Sequence, residues 1–184
     1  MKFPASLADA LEFAKQKHSG QTRKHGTPYI EHPLSVALVL AGWGYNGEDL
    51  LVSAVLHDVV EDCGVTIQCI SDHFGEQVAS TVKLLTKEKT DQEVKSGLIG
   101  YYESLTSSRP ACLIKVADRL DNVKSLSHLD EQEQAEYGLK TRRDFLPFIA
   151  QCAARYPEDH LYWVEMERAI LSLITQASCG SNNC

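Results

Sequence analysis

The sequence predicts an all-α fold, a single bundle of seven or eight helices without a sheet. Three observations predict it. Apolar residues recur at helical spacing along almost the whole chain. No segment alternates polar and apolar residues as a half-buried strand must. The 184 residues, 43% hydrophobic and 23% charged, have the size and composition of one globular domain with its own core.

The elements follow in order. Leu7, Leu11 and Ala14 mark a first helix, and Leu34, Ala37, Leu38 and Ala41 a second. Leu50, Leu51, Ala54 and Val55 begin a third that the pattern carries to residue 62, with Asp49 or Asn46 as its cap. Thr66 is placed to cap the next helix. Further stripes lie at Val78, Val82 and Leu85, at Leu113, Val116, Ala117, Leu120 and Val123, at Phe145, Leu146, Ile149 and Ala153, and at Leu161, Val164 and Ile170. Between them fall the breakers GTP (26–28), GWGYNG (42–47), DCG (62–64), SSRP (107–110) and Pro157. Residues 88–108 read as a polar, mobile connection. The domain is expected to span 1–178, followed by a disordered tail at 179–184.

Composition excludes several classes. A net charge of -7 argues against a general nucleic-acid binder, whose affinity comes mainly from Lys and Arg on phosphates. The longest uncharged stretch, Pro33–Gly47, is broken by Gly42, Gly44 and Asn46 and is too short to cross a bilayer. The amino terminus shows no secretory signal, so a cytoplasmic protein is expected. The six cysteines form no CxxC pair and read as free thiols. No Lys or Arg occurs from His25 through Val82, a window holding eight acids. Basic residues flank it, Lys15, Lys17, Arg23 and Lys24 before and Lys83, Lys87 and Lys89 after. That map suits a bound cation beside an anionic ligand.

The sharpest local feature is LLVSAVLHDVVED, residues 50–62. In a continuous helix His57, Asp58, Glu61 and Asp62 share one face, a costly patch to bury without a counter-charge. His32 lies between Pro28 and Pro33, and Asp118 ends the apolar run of LIKVADRLDN. His32, His57, Asp58 and Asp118 make two imidazoles and two carboxylates. They satisfy a six-coordinate divalent ion with two positions left for water or substrate. Without thiolate the set favours Mn²⁺, with Mg²⁺, Fe²⁺ or Zn²⁺ as alternatives.

QTRKHGTPYIEHP, LHDVVEDCGVT, FGEQVASTVKLLTK and LIKVADRLDNVKSL resemble, in order and approximate spacing, the four successive motifs of the HD-domain hydrolases of the RelA/SpoT family, which degrade the alarmone (p)ppGpp. The match runs from about residue 7 to residue 155 and most resembles the stand-alone small alarmone hydrolases, the MESH1-like group. The resemblance implies an HD-domain bundle that removes the 3′-pyrophosphate of ppGpp and pppGpp. It assigns His32, His57, Asp58 and Asp118 to one Mn²⁺, and Glu61 and Asp62 to activation of the attacking water. Arg23, Lys24, Asn122 and Ser125 are assigned to the nucleotide. Asp121 stands where relatives carry His or Tyr, a change expected to bear on the base or sugar pocket, and Cys63 replaces a Thr. The implied partner is a small nucleotide, with no nucleic acid and no membrane; a homo-oligomer is compatible with the sequence. Adenosine alarmones such as (p)ppApp and the 2′-phosphate of NADPH present phosphate to the same cation and remain alternative substrates. A catalytically silent alarmone sensor is the other alternative, but it would tolerate loss of a ligand or acid, and all are present.

Overall fold

A computed structural model describes residues 6–87 and 98–179. Its elements are α1 (Leu7–Lys17), α2 (Glu31–Gly42), α3 (Glu48–Leu56), α4 (Val59–Cys63), α5 (Ile67–Phe74), α6 (Glu76–Leu85), α7 (Ile99–Leu105), α8 (Arg109–Lys124), α9 (Glu131–Lys140), α10 (Leu146–Arg155) and α11 (His160–Cys179). The all-α class holds, with no strand among the described residues beyond the isolated bridge Thr22–Pro28. The described residues form eleven α-helices where seven or eight were predicted, because breaks such as the one after Leu56 divide segments that the apolar stripes run together. Residues 88–97 of the predicted mobile connection, and the predicted tail after Cys179, lie outside the described residues.

α8 is the hub. Ser108 caps it by accepting a hydrogen bond from the Ala111 N–H, and Pro110 sits in its first turn, where no donor is lost. Eleven of its residues are buried, Lys115, Asp118 and Asp121 among them, because α2, α3, α6, α7, α10 and α11 pack around it. α3 buries Leu51 through Leu56 without a break, as a helix that is apolar all round must.

Three predictions about elements need correction. The helix predicted to run to residue 62 stops at Leu56, and His57 and Asp58 form a joint before α4. The His57 Nδ1–H donates to the Ala54 carbonyl (2.7 Å), the acceptor that a continuing helix would offer to the Asp58 N–H. Neither Asp49 nor Asn46 caps α3; Gly47 occupies that position without a side-chain bond, and Asp49 lies in the first turn. Thr66 does cap α5, accepting from the Cys69 N–H. Part of the polar connection is helical, since α7 buries Tyr101, Tyr102 and Leu105.

Candidate active site

α2, the α3–α4 joint and α8 bring His32, His57 and Asp118 together, all buried, with one potential ligand atom from each within 4.8 Å of the others. Asp58 adjoins them: its Oδ2 lies 3.1 Å from His57 Nε2 and 3.5 Å from His32 Nε2. The Asp58 backbone sits at φ −103°, ψ −8°, in the sparsely populated bridge region that turns its carboxylate back toward the histidines. Because His57 Nδ1–H is used on Ala54, Nε2 carries a lone pair. That buried Nε2 has no hydrogen-bond partner among the described residues. Lone pairs facing carboxylate oxygens in a buried space repel unless a cation or a proton lies between them.

Three of the candidate ligands, His32, Asp118 and Asp58, are each held from behind by a further polar side chain. Asp121 Oδ2 accepts from His32 Nδ1–H (2.7 Å) and from Arg23 (2.6 Å), and its Oδ1 accepts from the Ser35 hydroxyl. Lys115 Nζ donates to Asp118 Oδ2 (2.7 Å), while Asn122 Nδ2 donates to Oδ1 (2.6 Å). The Tyr29 hydroxyl donates to Asp58 Oδ2 (2.7 Å). Burial works to lower the His32 pKa, but hydrogen bonds to Asp118 and Asp121 and the nearby carboxylate charges raise it to about 9. Burial works against ionised Asp118, yet the Lys115 ammonium and both histidines hold its carboxyl well below the usual range.

Beside this cluster opens a cavity of about 370 Å³, lined by Arg23, Lys24, Asn122 and Ser125 together with Tyr29 and Tyr137. All four residues expected at the nucleotide therefore share one cavity, of a size that suits a small molecule. Asp121 does not line it; its carboxylate is turned inward to His32, Ser35 and Arg23. Arg23 and Lys24 are both engaged, in ion pairs with Asp121 and Glu133. His25 lines the same cavity and stacks on His128, ring centroids 4.6 Å apart. Glu61 is half-buried and its Oε2 accepts from the Lys87 N–H (3.2 Å), whereas Asp62 is exposed.

Residues 10–152 match the family model of the HD domain. The chain belongs to the HD-domain family. Within it the chain is a member of the RelA/SpoT-type branch that its four motifs resemble. A guanosine-3′,5′-bis(diphosphate) 3′-pyrophosphohydrolase of Aquifex aeolicus is 42% identical over 142 residues, 75% of this chain and 20% of the relative. A human relative, guanosine-3′,5′-bis(diphosphate) 3′-pyrophosphohydrolase MESH1, is 37% identical over 136 residues, 72% of this chain and 76% of its own. The chain spans about a fifth of the length of the Aquifex relative and of a 37% identical probable GTP pyrophosphokinase of Mycobacterium leprae, of which it covers 19% with 84% of itself. A solved structure described as a metazoan ortholog of SpoT that hydrolyzes ppGpp superposes with a TM-score of 0.68 over 99% of both chains; at 23% identity that likeness shows the fold.

An HD domain implies a divalent metal, and the donor set fits one: two imidazole Nε2 atoms, one of them orphaned, converge with carboxylate oxygens. His32, His57, Asp58 and Asp118 would hold it. For one of the missed residues, Lys115, a signal was present. Lys115 interrupts the same apolar run that singles out Asp118, and at i−3 it shares a helix face with that acid. Tyr29 and Asp121 gave no such signal, because their partners come from distant segments.

Proposed function

We propose that this HD domain, residues 1–178, hydrolyses the 3′-pyrophosphate of guanosine alarmones, ppGpp and pppGpp, giving GDP or GTP plus pyrophosphate, with one Mn²⁺. The observation that carries this reading is the orphaned His57 Nε2 in a carboxylate-rich cluster that adjoins a nucleotide-sized cavity. The names of the Aquifex and human relatives support the substrate class, and mixed N/O ligation without thiolate supports Mn²⁺. When bound, the divalent ion supplies a lowered water pKa and screens charge on the phosphoryl group.

The chain's own residues do the rest. Glu61 and Asp62, on α4 just past the ligand joint, take the proton of the attacking water. The water oxygen bonds to the phosphorus attached to the ribose 3′-oxygen, the bond to that oxygen breaks, and the 3′-oxygen leaves with the electron pair and takes up a proton. Arg23, Lys24, Asn122 and Ser125 position the nucleoside half in the cavity. Four free thiols, Cys63, Cys69, Cys112 and Cys152, suit a reducing, cytoplasmic setting, and no helix among the described residues is long and apolar enough to cross a membrane. Incubation with Mn²⁺ and a panel of ppGpp, pppGpp, ppApp and NADPH, followed by chromatography, tests the reading. GDP or GTP with pyrophosphate is expected from the first two. Turnover of ppApp or NADPH alone would replace the guanosine assignment, and no turnover of any would replace the enzyme with a sensor.

A further inference from the structure

Lys115, Asp118 and Asn122 occupy successive turns of α8, and Asp118 stands between the other two, bonded to Lys115 through Oδ2 and to Asn122 through Oδ1. The Asn122 end faces the cavity. At 1.5 Å per residue the Lys115 end lies about 10 Å further back along the helix axis, on the other side of the ligand cluster. A second ammonium shares the Tyr101 ring with Lys115 there. Lys87 Nζ lies 5.6 Å, and Lys115 Nζ 5.8 Å, from the centre of the Tyr101 ring, whose hydroxyl is anchored on the Leu85 carbonyl (2.7 Å). The backbone N–H of Lys87 donates to Glu61, one of the two acids placed at the attacking water.

The cations around the site differ in what neutralises them. Arg23 is paired with Asp121, Lys24 with Glu133 and Lys115 with Asp118. Arg119 donates to the Tyr102 and Thr141 hydroxyls and lies over the Tyr137 and Phe145 rings. Lys87 Nζ has neither a carboxylate nor a hydrogen-bond acceptor among the described residues and lies over the face of Tyr101. The charge of Lys115, and burial after it, lower the Lys87 pKa, although Glu61, Asp118 and Asp58 pull the other way. A half-buried, unpaired ammonium is costly, and an arriving anion relieves that cost.

We propose that Lys87 grips the terminal phosphate of the substrate's 3′-diphosphate, so that the pyrophosphate half lies at the Lys87 end of the ligand cluster and the nucleoside half in the Arg23–Asn122 cavity. This rests on the alarmone reading above. Lys87 exchanges no proton in the step; it neutralises charge on the phosphate that departs as pyrophosphate. It also divides the labour among the basic residues. The two cations of the cavity are already ion-paired, which leaves them to orient the nucleotide, and the ammonium of Lys87, unpaired among the described residues, takes the phosphate charge.

The test uses the full chain loaded with Mn²⁺ and freed of excess metal, with inorganic pyrophosphate and GDP as separate probes in calorimetry. Lys87→Ala is expected to weaken pyrophosphate binding about tenfold or more, the scale of one charge-assisted contact. GDP binding should stay within about twofold of wild type on the same scale of affinity. Lys87→Arg should recover most of the pyrophosphate affinity, and Lys83→Ala, at an exposed lysine on α6 four residues earlier, should bind both probes as wild type does. Equal pyrophosphate affinity in wild type and Lys87→Ala, in a wild type that hydrolyses ppGpp, overturns the assignment and leaves the proposed function standing. A parallel loss of GDP binding in Lys87→Ala overturns it too, as a general defect. A wild type that releases no pyrophosphate from ppGpp overturns the proposed function and this inference with it.

Discussion

At position 121 one carboxylate serves three neighbours: it receives the Nδ1–H of His32, the guanidinium of Arg23 and the hydroxyl of Ser35. A carboxylate behind a ligand histidine fixes the tautomer, so that Nε2 faces the cluster, and raises the basicity of the ring. Asp121→Asn keeps the shape and an acceptor but removes the charge. Loss of such an outer carboxylate typically costs about ten- to a hundredfold in metal affinity, and Mn²⁺ competition against a chelating dye should show a loss on that scale. An unchanged affinity would mean that Asp121 serves only to hold Arg23. The residue types at the ligand positions were legible one by one, since a His between prolines or an Asp ending an apolar run is conspicuous. What Asp121 does was not, because its three partners lie 86 to 98 residues away.

At the scale of elements, α8 and the α3–α4 joint set the geometry. α8 carries a ligand acid, the lysine that neutralises it and the cavity-facing amide on one side, one turn after another. Lys115→Met removes the cation from a buried pair and leaves Asp118 uncompensated. Breaking a buried pair by deleting one partner costs about 3 to 5 kcal/mol, so chemical denaturation of the metal-free variant should show a loss of that order. The loss should shrink when Mn²⁺ is added, because the ion restores a positive neighbour to Asp118. A metal-free variant as stable as wild type would refute the pairing argument. Helical periodicity correctly located α1, α2, α8 and α10 because each has a long stripe facing one core. It missed the joint at His57, where a side chain takes over a backbone acceptor, and it missed α7, whose short buried stripe is embedded in polar residues.

For the whole molecule, the candidate ligands come from α2, the α3–α4 joint and α8, so an ion bound among them would tie separate parts of the bundle together. Ligand binding to the folded state alone stabilises by about 2.7 kcal/mol at a hundred times Kd. For a chain of this length that raises Tm by about 5 to 10 °C. Thermal melts with and without Mn²⁺ should show that rise, and it should vanish in His57→Ala. A rise retained in His57→Ala would place the ion elsewhere. The sequence by itself determined the all-α class, the HD family and which imidazoles and carboxylates belong together, because apolar period and motif order are properties of the chain read in one dimension. Only the tertiary structure decided that the HD pair sits in a break between helices, that Asp121 turns inward and away from the cavity, and that among the described residues Arg23, Lys24 and Lys115 have carboxylate partners while Lys87 has none. Those outcomes depend on which distant side chains meet around α8, and charge compensation in a buried site is settled by proximity in space, which residue spacing along the chain does not encode.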